Sequence, residues 1–157
     1  MKNLKEEINI LYVDDEKGNR EVFKASFRRY YTIYTAESAK EGLKVLENNI
    51  INIIITDQRM PNMTGSEFLT SIVNVYPEPI RMIMTGYADL NAVIDAVNNG
   101  KVYKYLTKPW DSDQLKMIID EAYNTYSLQQ QQKKLIKDLL RVNEQLEFQL
   151  IQKSSFE

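Results

Sequence analysis

The amino-acid sequence predicts an α/β fold, a doubly wound five-stranded parallel sheet with an extended C-terminal helix. Three observations carry that reading. Short β-branched or aromatic runs alternate five times with segments of helical periodicity, the order that builds parallel strands joined by right-handed crossovers. One of those runs, Ile53-Ile54-Ile55, has no polar residue on either face, as a strand buried on both sides requires. The segment from Ser112 to about Ser155 holds neither Gly nor Pro and is rich in helix formers. It reads as one helix of roughly 65 Å at 1.5 Å per residue.

The elements follow in order. Ile8 to Val13 is a first strand ending in Asp14-Asp15-Glu16, and Val22, Phe23, Phe27 and Tyr30 then recur at helix spacing. Thr32 to Ala36 is a second strand, and Ser38 with Glu41 has the capping-box spacing for a helix whose inner face holds Ala39, Leu43 and Leu46. The isoleucine strand stops at Thr56-Asp57. Pro61 and Gly65 punctuate the loop after it, and Thr64 with Glu67 caps a helix with Phe68, Leu69, Ile72 and Val73 inward. Tyr76-Pro77-Glu78-Pro79 closes that helix, since proline cannot continue it. Ile80 to Met84 is the fourth strand, running into Thr85-Gly86. Leu90, Val93, Ile94 and Val97 mark the fourth helix, with Asn99-Gly100 as its stop. Val102 to Leu106 is a short fifth strand before Thr107-Lys108-Pro109.

The last helix begins as part of this domain, through Leu115, Ile118, Ile119 and Ala122, and outruns it beyond Tyr126. Residues 1–125 are thus the expected domain and 126–157 an extension. In the extension Leu128, Gln132, Leu135, Leu139, Val142 and Leu146 step by four and three, the seam of a coiled coil, before Leu150 breaks phase. A parallel homodimer weakened by the polar Gln132 is expected; a solvated, fraying tail is the alternative.

Composition removes several classes of function. The net charge of −2 lacks the basic footprint of a nucleic-acid binder, and no nucleic-acid contact is expected. There is no Cys, hence no disulfide framework or thiolate metal site. There is no His, hence no imidazole base, ligand or phosphorylation site within the chain. Nothing resembles a signal peptide or membrane span, so a soluble cytoplasmic protein is expected. The P-loop pattern G-x-x-x-x-G-K-[ST] is missing.

The chemistry lies at strand ends. Asp14, Asp15, Asp57, Thr85 and Lys108 all fall at or just past the carboxyl ends of predicted strands, the edge where open α/β sheets bind ligands. Three carboxylates crowded together repel unless a cation neutralises them. Oxygen ligands alone, few in number, suit Mg²⁺ better than Ca²⁺. Lys108 opposite them can serve as an ion pair or a phosphate partner, and the Thr85 hydroxyl can donate to an anionic oxygen. Such a site is equipped to attack a phosphoryl group and hold the product.

Four pieces, L-Y-V-D-D-E, T-D-Q-R-M-P-N-M-T-G, M-T-G-Y-A-D and Y-L-T-K-P-W, stand in this order at the strand ends. Over residues of about 5 to 125 the sequence resembles a response-regulator receiver domain of two-component signalling. The resemblance implies that Asp57 is the phospho-acceptor and that Asp14 and Asp15, with the Arg59 backbone carbonyl, complete a Mg²⁺ site. It also implies that Thr85 and Lys108 contact the phosphoryl oxygens, that Lys108-Pro109 is cis, and that Tyr105 is the switch aromatic. The strand order it implies is the flavodoxin-like 2-1-3-4-5, of which receivers are themselves a type case. The implied partner is a sensor histidine kinase or phosphotransfer protein, since the chain has no His to supply the phosphoryl group.

Met60, Met82 and Met84 read as packing residues, and Trp110 as core or partner contact at the base of the long helix. Arg59 and Tyr87, two residues beyond Asp57 and Thr85, are expected to limit water access by their bulk. T-G-Y-A-D, Y-L-T-K-P-W-D and the coiled-coil exit are similar to receivers that precede signalling enzymes such as HD-GYP phosphodiesterases. The chain has neither the histidines of that domain nor a helix-turn-helix, so the receiver is expected to catalyse only its own phosphorylation and dephosphorylation. An excised receiver with its linker is the favoured reading; the alternatives are a complete regulator acting by contact and a phosphorylation-independent dimeric interaction module. A haloacid-dehalogenase-type phosphatase would need D-x-D where Asp14-Asp15-Glu16 stands.

Overall fold

The computed structural model of the chain describes residues 7–99 and 101–155. Its elements alternate strictly: β1 (Asn9–Val13), α1 (Lys17–Phe27), β2 (Thr32–Ala36), α2 (Ala39–Asn48), β3 (Ile53–Asp57), α3 (Gly65–Ile72), β4 (Ile80–Thr85), a 3-10 turn (Tyr87–Asp89), α4 (Leu90–Asn98), β5 (Lys104–Thr107) and α5 (Ser112–Ser155). The strands form one parallel sheet in the order β2-β1-β3-β4-β5. The order reverses between β1 and β3, so the loops leaving those two neighbours diverge and open a crevice at the sheet's carboxyl edge. Asp14 and Asp57 sit on the two sides of that opening.

Strand periodicity divides the core into two layers. Ile10 and Tyr12, Ile53 and Ile55, and Met82 and Met84 face one side, where they meet Phe23 and Phe27 of α1 and Leu115, Ile119 and Ala122 of α5. Leu11 and Val13, Ile54 and Ile83 face the other, against Phe68, Leu69 and Ile72 of α3 and Val93 of α4. The isoleucine run is apolar throughout because it feeds both layers. Met82 and Met84 are core, and Trp110 packs partly buried against Phe23 and Phe27.

Both expected N-caps form. The Ser38 hydroxyl accepts from the Glu41 N–H at 3.2 Å, and the Thr64 hydroxyl accepts from the Glu67 N–H at 3.2 Å. At α3 the glycine following the cap is obligatory: a Cβ on Gly65 would collide with the main-chain carbonyl oxygen of Asp57. That close approach sets α3 directly under the end of β3.

Three sequence expectations need correction. Val22 and Tyr30 do not face the core but are more than half exposed; α1 ends at Phe27, and its inner face is built from two large rings rather than four residues. Leu43 and Ile94 lie at the rims of their helices rather than fully inward. The fifth strand begins at Lys104, not Val102, because the N–H groups of Lys101 and Val102 turn back to the Ala96 carbonyl at 3.1 and 3.3 Å. Val102 is therefore buried as the closure of α4. Of the predicted stop for α4, Asn99 is the C-cap and Gly100 lies outside the described residues.

Helix α5 changes character along its length. Leu115, Ile119 and Ala122 are buried, whereas Leu128, Leu135, Leu139 and Leu146 are each more than half exposed. No helix among the described residues is long and apolar enough to cross a membrane.

Candidate functional site

Carboxylate oxygens of Asp14, Asp15 and Asp57 lie within 4.8 Å of one another. Asp14 directly follows β1 and is fully buried. Its Oδ2 accepts from the Tyr12 hydroxyl at 2.8 Å and the Asn19 amide at 3.2 Å, and its Oδ1 from the Glu16 N–H at 3.0 Å. Arg20 fixes the same residue from behind, donating to its main-chain carbonyl at 2.8 Å. Burial, then the Asp14 charge and hydrogen bond, push the Tyr12 hydroxyl far above its usual range, so it remains a neutral donor. Asp15 is exposed, and among the described residues its carboxylate has no partner.

Asp57 ends β3. Lys108 approaches its Oδ1 at 2.8 Å, and the Gln58 N–H donates to the same oxygen at 3.0 Å. No described residue hydrogen-bonds to Oδ2, which leaves that oxygen free as a nucleophile or ligand. Burial raises the Asp57 carboxyl above its ordinary value; Lys108 lowers it by hydrogen bond and charge, Asp14 raises it again, and the Gln58 N–H lowers it. Burial and the neighbouring carboxylate win. A cation bound here would relieve both, so the donor set fits a hard divalent ion such as Mg²⁺.

The surrounding loops are pinned by main-chain bonds. The Gln58 N–H also reaches the Met84 carbonyl at 3.0 Å, and the Lys108 N–H reaches the Thr85 carbonyl at 3.0 Å. The buried Gln58 side chain exchanges bonds with Ser66, its Nε2 donating to the hydroxyl at 3.1 Å and its Oε1 accepting from the N–H at 2.9 Å. Asn62 takes the left-handed conformation in this loop, at φ 70°. The Lys108-Pro109 bond is cis.

The cleft above Asp57 measures about 520 Å³ and is open to solvent. Arg59 and Asp89 close one side of it, with the guanidinium Nε 2.6 Å from one carboxylate oxygen and Nη2 3.0 Å from the other. The bond and charge of Asp89 raise the Arg59 guanidinium above its ordinary value. Tyr87, largely exposed, lines the same cleft. Thr85 is buried at the rim, but its hydroxyl donates to the Gly86 carbonyl at 3.2 Å rather than towards Asp57. Tyr105 is partly exposed on β5 and stands outside the cleft.

Sequence reasoning thus located Asp14, Asp15, Asp57, Thr85 and Lys108 at one edge. It missed Tyr12, Asn19, Arg20, the Gln58–Ser66 exchange and Asp89. Tyr12 reads in sequence as an ordinary strand aromatic, and Asp89 lies thirty positions from the arginine it holds. Only the position of Asn19, one helical turn into α1 beyond Asp14, carries a usable signal.

The family model described as response regulator receiver domain matches residues 10–120. The hydrogenase transcriptional regulatory protein HoxA of Bradyrhizobium diazoefficiens is 37% identical over 122 residues, which are 78% of this chain and 25% of that protein. A solved structure described as adenylate cyclase from Rhodopirellula baltica superposes with a TM-score of 0.80 at 29% identity, covering 83% of this chain and 98% of that one. A response regulator receiver domain protein from Clostridium thermocellum does so at 0.72 with 34% identity, covering 77% and 98%. The chain spans about a quarter of the length of the curated relatives it matches. Matched over well more than half of its length, with the fold and the acidic cluster in place, the chain belongs to the response regulator receiver domain family of two-component systems.

Proposed function

We propose that the chain is a phosphorylation-dependent switch in which Asp57 accepts a phosphoryl group from a partner histidine kinase or phosphotransfer protein in the cytoplasm. The observation that carries this reading is the state of the Asp57 carboxylate: Oδ1 is held by Lys108 and Gln58, and Oδ2 is free beneath an open cleft. Asp57 Oδ2 attacks phosphorus, and the new P–O bond forms as the P–N bond to the donor imidazole breaks, its electron pair leaving on nitrogen. Lys108 stays beside the anionic oxygens throughout. Asp14, Asp15, Asp57 and the Arg59 carbonyl would hold Mg²⁺, which would supply charge neutralisation for the transfer.

The product adds charge where Thr85 now bonds to Gly86. Turning its hydroxyl towards a phosphoryl oxygen vacates space at the rim that Tyr105 can fill, which changes the face made by α4, β5 and α5. A local electrostatic event needs a bistable element to be read at a distance, and α5 starts on that face. Residues 1–125 are the receiver unit and 126–157 a coiled-coil extension that joins two copies. The exposed stripe on α5 also supports a second reading, a dimer that forms whether or not Asp57 is phosphorylated.

With Mg²⁺ and a small-molecule phosphoryl donor, intact-mass measurement should show one added phosphoryl group on the wild type and none on Asp57→Ala. Absence of the adduct on the wild type would sink the switch. Light scattering with Mg²⁺ before and after beryllofluoride separates the two dimer readings: a mass increase that needs Asp57 marks phosphorylation-dependent assembly, an unchanged dimer the constitutive one.

Arg59, Asp89 and Tyr87 wall the cleft through which water reaches an acyl phosphate. Arg59→Ala and Tyr87→Ala should each speed autodephosphorylation several-fold, followed as decay of the phosphorylated mass. Unchanged decay in both would remove the shielding role.

A further inference from the structure

The coiled-coil extension carries more than a dimer stripe, because its spacing changes part way along. From Leu128 to Leu146 the seam positions step by four and three; continuing that alternation would bring Gln149 and then Lys153 into the seam. In a parallel pair Gln149 would face its own twin, and two apposed amides in a desolvated seam are costlier than two leucines. A second step of four from Leu146 reaches Leu150 instead, two-thirds exposed in the single chain. The change sets Leu150 eleven residues after Leu139, in steps of three, four and four. An eleven-residue interval corresponds to about 3.67 residues per turn, close to a straight helix, and removes the left-handed supercoil that a strict seven-residue repeat imposes.

The charge pattern says what covers this stripe. Positions flanking the seam are where a coiled coil selects its partner by charge. Up to the phase change they are Gln129, Gln131, Ile136, Asp138, Asn143 and Gln145. Asp138 is the one charged residue among them, and it pairs with Arg141 of its own helix at 3.6 Å. The remaining charges from Lys133 to Glu147 lie on the outer face. A flank of amides repels no copy of itself and offers a charged stranger nothing to pair with. In a parallel pair it also sets Asp138 opposite the Asn143 amide of the second copy, an acceptor against a donor.

We propose that a second copy of this chain packs in parallel along α5, and that the seam between them shifts phase after Leu146 so that Leu150, not Gln149, closes it. The proposal deepens the dimer reading above and rests on it. It makes the extension a two-part connector, left-handed over Leu128–Leu139 and nearly straight from Leu139 to Leu150.

The full chain has no cysteine, so single replacements report contacts without background. Leu128→Cys, Leu139→Cys, Gln149→Cys, Leu150→Cys and the outer-face control Lys137→Cys would each be oxidised and the disulfide-linked dimer measured. Leu128→Cys, Leu139→Cys and Leu150→Cys should cross-link well, Gln149→Cys several-fold less, and Lys137→Cys least. Gln149→Cys cross-linking as well as or better than Leu150→Cys overturns the phase shift while leaving the dimer intact. Cross-linking at Leu139→Cys without Leu128→Cys means an antiparallel pair and overturns the arrangement. Background yields at every position, with a monomeric mass by light scattering, overturn the dimer reading itself. A further pair guards against a cysteine that loosens the helix: Leu150→Gln should weaken self-association and Gln149→Leu should not strengthen it, and the reverse order defeats the proposal.

Discussion

Replacing Phe23 with alanine is expected to cost about 3–5 kcal/mol of stability, the range for deleting a buried phenyl ring, and so to lower the melting temperature by about 10–20 °C. Phe23 is fully buried where α1 meets the sheet. Its ring stacks on Tyr12 at a centroid distance of 4.2 Å and an interplanar angle of 6°, meets Phe27 at 4.9 Å and stands edge-on to Trp110 at 6.1 Å. The cavity would open beneath the residue whose hydroxyl holds Asp14. Phe23→Ala should therefore also lower Mg²⁺ affinity, because Tyr12 loses its stacking partner and Asp14 a fixed donor. Phe27→Ala supplies the control: it is equally buried in the same layer but meets Trp110 and Tyr31 at a tilt rather than Tyr12. Chemical denaturation and Mg²⁺ titration of both variants separate the two effects. Equal losses of Mg²⁺ affinity would mean that general loosening of the layer, not the Phe23–Tyr12 stack, supports the acidic cluster.

The same stack shows where sequence reasoning reaches and where it stops. Asp57, Thr85 and Lys108 were legible because apolar runs fix where strands end, and a parallel sheet brings like ends to one edge. The burial of Ile53, Ile54 and Ile55 on two faces was legible for the same reason. Helix rotation was harder. Val22 and Tyr30 have the right spacing, but the rings of Phe23 and Phe27 already fill the gap between α1 and the sheet, and the helix stops before Tyr30. Tyr12 was invisible as a site residue because its role needs a buried hydroxyl two positions from Asp14 on the same strand face, and alternation alone counts it as core. Arg59 and Asp89 belong to loops after different strands. Their pairing follows from β3 and β4 being neighbours, which the residue pattern does not state.

Asp57→Asn is expected to abolish phosphoryl acceptance and, in the absence of Mg²⁺, to make the fold more stable at neutral pH. The direction follows from the carboxyl's environment. Its folded value is raised, chiefly by burial and further by Asp14, against an ordinary value of 3.8. A group raised in the folded state contributes stability that is fully present below its unfolded value and is lost as pH rises through its folded value. Above its folded value the ionised Asp57 is therefore a liability that asparagine removes. The opposing effect is the loss of the Lys108 ion pair, but the Lys108 side chain is 32% exposed, so water can solvate the ammonium left behind. The advantage of Asp57→Asn should shrink as pH falls through the raised folded value, where native Asp57 takes up its proton, and be smallest below the ordinary value of 3.8. Saturating Mg²⁺ should narrow or reverse the gap at neutral pH. A ligand bound only by the native state stabilises it by about 2.7 kcal/mol at one hundred times its dissociation constant, and the wild type keeps the stronger site. Thermal unfolding of both proteins in chelator and in Mg²⁺, from acid to neutral pH, tests every sign. An Asp57→Asn protein less stable than wild type in chelator at pH 7 would show that the Lys108 pair outweighs burial. The metal-free Asp57 would then be a stabilising residue rather than a strained acceptor awaiting a cation.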